Sequence, residues 1–139
     1  MAKVKVSGDF DASIDQVWAL IKDFGNLSAW APDANITKLE GEGIGAIRHL
    51  DTAVGHFKER CEAHDDSNYS FSYALLESSL PLPLKDYVAT VKLKETGPRS
   101  CAIEWACVFE PVDVSEGEMI PIVEQTYAGF ISAIKNALK

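Results

Sequence analysis

From its first residues the chain alternates, with Val4 and Val6 set against Lys3 and Lys5. A two-residue period is that of a half-buried strand, and it predicts one over 2–10. The period then changes. Ser13-Ile14-Asp15-Gln16 has the form of a capping box, with Ser13 at the N-cap and Gln16 three residues on. Ile14, Val17, Trp18, Ile21 and Phe24 follow at helical spacing, and Gly25 is expected to stop the helix as a left-handed residue. A short second helix is expected at 26–31, ending against Pro32. From 34 to 110 the two-residue period returns. It predicts strands at 35–40, 45–52, 55–65, 69–77, 86–95 and 100–110, separated by Gly, Asp, Asn and Pro clusters. Ser115-Glu116-Gly117-Glu118 is a second capping box. Beyond it Ile120, Val123, Tyr127, Phe130, Ile131, Ile134 and Leu138 form one stripe, which predicts a helix over 116–138 that Pro121 bends slightly.

The order is strand, two helices, six strands and one long helix, the pattern of an α+β fold in a single domain over 1–139. Strands joined by hairpins make a seven-stranded curved antiparallel sheet. Its concave face accepts the long C-terminal helix, and the two short helices lie between strands 1 and 2. Sheet and helix leave a space between them that large side chains either fill or leave open.

Hairpin register tests this arrangement, because a slip of one residue inverts both faces of a strand. A turn centred between Ala53 and Val54 sets Leu50 opposite Phe57, Arg48 opposite Glu59 and Ala46 opposite Cys61. The other face then carries His49, Asp51, His56, Lys58, Arg60 and Glu62, with Ile47 its one apolar member. Arg48 and Glu59 therefore share the apolar face, close enough to pair. In the next strand Tyr69, Phe71, Tyr73 and Leu75 share a face. A turn around Thr96-Gly97-Pro98 pairs Leu93 with Cys101, Val91 with Ile103, Ala89 with Trp105 and Tyr87 with Cys107. The inward face so collects Tyr69, Tyr73, Tyr87 and Trp105, together with Arg48 and Glu59. A mostly apolar pocket with a few convergent polar groups is the expected look of a ligand site.

Composition narrows the partners. The 139 residues are 47% hydrophobic and 24% charged, ordinary for a globular chain, and the formal charge of −8 argues against nucleic acid or anionic lipid, which need a basic footprint. No apolar run approaches the roughly 20 residues that span a bilayer. The N-terminus reads as a strand rather than a signal peptide, so a cytoplasmic location is expected. Cys61, Cys101 and Cys107 are odd in number and read as reduced, buried thiols. His49, His56 and His64 show no ligand spacing, so neither a metal nor another cofactor is expected.

Several segments together resemble the START/Bet v 1-like helix-grip superfamily, also called SRPBCC or polyketide cyclase/dehydrase proteins. They are Ser13-Ile14-Asp15-Gln16-Val17-Trp18, Gly43-Ile44-Gly45-Ala46-Ile47-Arg48, Lys58-Glu59-Arg60, Leu82-Pro83-Leu84-Lys85-Asp86-Tyr87 and Tyr127-Ala128-Gly129-Phe130. The resemblance covers essentially the whole chain and looks closest to small bacterial single-domain members. More distantly it extends to plant hormone receptors and norcoclaurine-synthase-like proteins. In receptor-like relatives the residues matching Arg48, Glu59 and Tyr87 belong to a polar network around the ligand, and the loops matching Thr52–Gly55 and Ser78–Lys85 flank the pocket mouth. Both loops depart from the receptor pattern here. The lysine that serves receptors and synthases has no counterpart.

The leading expectation is a non-catalytic binder of a lipid-like, aromatic or polyketide-like molecule, as a monomer or homodimer. Its ligand would be held by Arg48, Glu59, Tyr87, Trp105, Phe71, Tyr73, Leu50, Phe57, Trp30, Leu82, Tyr127 and Phe130. An alternative is a cyclase or dehydratase with Glu59 and Tyr87 as acid/base groups and Arg48 stabilising an enolate. A further alternative is an interaction module acting through the 78–85 loop, whose Leu80-Pro81-Leu82-Pro83-Leu84 run reads as a pocket lid or a partner patch. Arg48 and Glu59 could equally brace the wall as an ion pair, and Tyr69 and Tyr73 could simply fill the core.

Overall fold

The computed structural model describes residues 1–139. Its elements are β1 (Ala2–Phe10), α1 (Ile14–Ile21), β2 (Asn35–Glu40), β3 (Ile47–Thr52), β4 (Gly55–Asp65), β5 (Ser70–Ser78), β6 (Leu84–Gly97), β7 (Ser100–Pro111) and α2 (Glu116–Ala137). The strands form one antiparallel sheet in the order β1-β7-β6-β5-β4-β3-β2. The alternation along β6 and β7 does what the period predicts: Ala89, Val91, Leu93, Cys101, Ile103, Trp105, Cys107 and Phe109 are all buried on the concave side.

Helix α2 buries Met119, Val123, Tyr127, Ile131 and Ile134 against that face. It seats over β1 and β7 because Gly8 has no side chain. A Cβ there would lie 2.8 Å from Cγ2 of Ile131, too close for the helix to stay where it is. At the start of α1 the capping box is complete: Ser13 Oγ accepts the Gln16 N–H at 3.2 Å, and the Ser13 N–H donates to Gln16 Oε1 at 3.2 Å. Ser115 makes the first of these bonds for α2, accepting from the Glu118 N–H at 3.2 Å.

Three expectations are corrected. Helix α1 stops at Ile21, and Gly25 is not left-handed. Its N–H donates instead to Asp23 Oδ1 at 2.9 Å, an aspartate side chain competing for main-chain bonds just past the helix. The second short helix does not form. Leu27 O accepts from the N–H groups of Trp30 and Ala31, but the turn goes no further. Asn26 Oδ1 already takes the Ser28 N–H, and Pro32 disfavours helical geometry at Ala31. Finally, the β6–β7 register lies two residues from the expected one, pairing Leu93 with Ile103, Val91 with Trp105 and Ala89 with Cys107. The hairpin closes tightly as Gly97 opposite Ser100, with an irregularity at Thr96. A shift of two preserves the faces, so the inward set survives. The β3–β4 register is as expected, with Leu50 opposite Phe57 and Arg48 opposite Glu59.

Candidate ligand site

The ladder between β5 and β6 is short. Ser70–Ala74 pair with Val88–Lys92, and beyond that the strands diverge, β5 staying with β4 and the start of β6 with β7. The irregularity that bends β6 away falls at Asp86 and Tyr87, where Asp86 adopts a left-handed backbone with φ of 55°. Between the strands opens a groove of about 600 Å³ lined by Leu75, Leu76, Leu80, Leu82, Leu84, Tyr87 and Val88, with Arg60, Glu62, Glu77, Lys85 and Asp86 adding charge. The 79–83 loop forms one wall and is fastened at both ends. The Ser79 N–H donates to His56 O at 2.8 Å, the His56 N–H donates to Ser79 Oγ at 2.8 Å, and the Val112 N–H donates to Pro83 O at 2.9 Å. A smaller cleft of about 240 Å³ lies across β1, β6 and β7 at Lys3, Lys5, Thr90 and Ala106.

Tyr87 joins the groove to the interior. Its ring packs on Phe109 and its hydroxyl is hydrogen-bonded to that of Tyr127. The Trp105 indole donates to Tyr73 Oη at 3.2 Å. Around these groups the rings of Trp105, Tyr127 and Phe130 are in mutual contact and Trp30 packs on Trp105 and Phe130, with centroids 5.1–6.1 Å apart. Burial is the main cause that holds the phenols of Tyr73, Tyr87 and Tyr127 far above their ordinary range, and the Glu59 charge adds to it at Tyr73. All three are therefore neutral phenols at physiological pH. They can exchange hydrogen bonds, but they cannot act as tyrosinate bases. Burial likewise pushes up the Cys107 thiol, which adjoins the Tyr127 and Tyr87 hydroxyls.

Arg48 is the one charged residue in the core, only 5% exposed. Its Nε and Nη2 both reach Glu59 Oε1, at 2.9 and 2.8 Å, and Nη1 donates to Phe24 O at 3.1 Å. The guanidinium lies 4.1 Å from the Phe24 ring centre and 5.2 Å from that of Tyr73. A donor set so occupied ties the α1–β2 connection to the barrel wall.

Of the residues singled out from sequence, the structure brings together Arg48, Glu59 and Tyr73, and joins Tyr87, Trp105, Tyr127, Phe130 and Trp30 in the adjoining aromatic group. Leu82 lies on the groove wall. Phe71 stacks on Tyr73 but also packs on Trp18 beneath α1. Leu50 is buried and Phe57 half-buried at the β3–β4 hairpin, where they face each other. Tyr69 does not point into the interior as expected. It has a left-handed backbone, with φ of 51°, after a tight helical turn at Asp66–Asn68, and its hydroxyl donates to Asp15 Oδ1 at 2.9 Å. Periodicity marks Phe24 only as part of a helical stripe, yet its carbonyl and ring hold Arg48. No side-chain pattern signals a main-chain acceptor. Each histidine has a carboxylate neighbour: Glu40 for His49, Asp51 for His56 and Asp66 for His64.

Over residues 1–139 the sequence matches the family described as polyketide cyclase / dehydrase and lipid transport, and the chain belongs to that family. It is similar to the protein XoxI from Bacillus cereus, at 30% identity over 99% of this chain and 95% of that one, with a TM-score of 0.85. Norcoclaurine synthase from Thalictrum flavum shares 23% identity over 98% of this chain and 92% of its own, with a TM-score of 0.72. Ara h 8.0201 shares 15% over 98% and 97%, with a TM-score of 0.77. Those two likenesses are of fold, and they identify this architecture as the Bet v 1-like helix-grip fold. No helix is long and apolar enough to cross a membrane.

Proposed function

We propose that the protein binds a neutral, largely aromatic small molecule among the aromatic side chains under α2, admits it through the β5–β6 groove, and leaves it chemically unchanged. One observation carries this reading: Tyr87 both lines the groove and bonds to Tyr127 in the aromatic interior, so a molecule entering there meets a prepared set of neutral donors and ring faces. An acid/base mechanism draws less support. Glu59 is engaged by two nitrogens of Arg48, and the phenols are held protonated. The family description, which includes lipid transport, supports a carrier of this kind.

Native mass spectrometry of the gently purified protein tests the proposal, together with titration by the neutral fluorophore N-phenylnaphthylamine. The expected result is saturable binding of one molecule per chain, weakened by a bulky Val88→Trp substitution in the groove. A bare mass together with unsaturable fluorescence would remove the reading. Consumption of a bound polyketide-like compound, abolished by Glu59→Gln, would replace it with the enzymatic one.

A further inference from the structure

Among buried side-chain nitrogens and oxygens, one has no hydrogen-bond partner: Nε1 of Trp30. The residue is only 7% exposed, and its ring meets Trp105 and Phe130 at centroid distances of 5.9 and 6.0 Å, both edge-to-face. Indole N–H is a donor only, and leaving it dry and unpaired carries the full desolvation cost of the group. Every other buried polar atom nearby has a partner, Trp105 in Tyr73, Tyr87 and Tyr127 in their shared bond, and Arg48 in Glu59 and Phe24. An orphan donor in an otherwise satisfied cluster calls for an explanation.

Trp30 also sits on a part of the chain able to move without breaking the sheet. Between α1 and β2 the main-chain bonds are local: Asn26 N to Asp23 O, Trp30 and Ala31 N to Leu27 O, and Ala34 N to Ala31 O. The polar tie from this segment to the barrel wall is Arg48 on Phe24 O. We propose that the Trp30 indole N–H is the specificity-determining donor of the site, and that it selects a neutral aromatic molecule bearing a carbonyl or ether oxygen as its acceptor. This rests on the ligand-binding reading above and adds the chemistry of the ligand to it. A carboxylate head is disfavoured, because the only buried cation is already neutralised by Glu59 and a second buried anion would have no counter-charge. A pure hydrocarbon would leave the orphan donor as it is.

The test uses two probes of like shape, methyl naphthyl ketone and isopropylnaphthalene, titrated calorimetrically into the full chain and into Trp30→Phe. The wild type should prefer the ketone by about tenfold, the ratio one well-made hydrogen bond in a dry site carries. Trp30→Phe should bind both probes with a ratio of about one, since it keeps the ring faces and loses the donor. In nitrogen–proton correlation spectra of the wild type, the Trp30 indole signal should move downfield with the ketone and stay in place with the hydrocarbon. That measurement decides the matter alone if Trp30→Phe fails to fold. A ketone preference that persists in Trp30→Phe, or an indole signal blind to the carbonyl, would overturn the assignment while leaving the binding site intact. Failure of the wild type to bind either probe would bring down both readings together.

Discussion

Where α2 crosses β1 and β7, the interior is aliphatic and closed. Ile131 sits so close over Gly8 that a Cβ there would lie 2.8 Å from its Cγ2, and Ile134 has no exposed surface. Beneath the α1–β2 connection it is aromatic and polar, with Arg48, Glu59, three phenols and two indoles sharing one neighbourhood. The two regions share one sheet and one helix. What differs is how much each depends on directed bonds. The closed end is held by area and shape, so it tolerates little change in volume. The polar end is held by directed hydrogen bonds, and every group there must find a partner or bear a penalty.

The largest separation between the regions should come from Arg48→Met. Removing the guanidinium leaves Glu59 in a largely dry position, its side chain 13% exposed, and urea unfolding should show a loss of about 3–5 kcal/mol. Replacing Glu59 by Met as well should restore most of it. A loss below about 1 kcal/mol, typical of a wet pair, would erase the distinction drawn here. Next in size is Ile134→Ala at the closed end, which should cost about 2–4 kcal/mol through a cavity while leaving N-phenylnaphthylamine affinity unchanged. A change in affinity would show that the two regions are coupled.

Alkaline titration should expose the polar end alone. Tyr73, Tyr87 and Tyr127 have phenols raised above their ordinary value, so below about pH 10 both folded and unfolded chains keep the protons and stability is complete. Above that, only the unfolded chain releases them, and stability should fall by about 1.4 kcal/mol per pH unit for each phenol until the folded groups ionise too. A variant with all three as Phe should show a much flatter alkaline profile. Equal steepness would place those phenols in water. The smallest effect belongs to Ser13→Ala, which removes the α1 cap far from both interiors. It should cost about 1 kcal/mol in thermal unfolding and leave probe binding untouched.

Period and capping made most of the fold legible. The two-residue alternation locates all seven strands, the Ser13 and Ser115 boxes place both helix starts, and the face argument pairs Arg48 with Glu59. Misreadings arose where side chains compete with the main chain. Asp23 and Asn26 each capture an N–H that a continuing helix would have used, so periodicity promised more helix than formed. Tyr69 fitted the strand pattern but takes a left-handed backbone beside α1, a choice made by the tight turn before it. At the candidate site the side-chain identities were legible and their partners were not. That Trp30 lacks an acceptor, or that Phe24 supplies one, depends on through-space geometry that no spacing rule encodes.

The short seam between β5 and β6 has a mechanical meaning. One panel, β2 to β5, and another, β6, β7 and β1, are each laced along most of their length, yet they are stitched to each other only where Ser70–Ala74 meet Val88–Lys92. Load on such a shell concentrates at its weakest seam. The sheet should therefore flex as two stiff leaves about this line, and a cross-link long enough to span the open end would stiffen it as a whole.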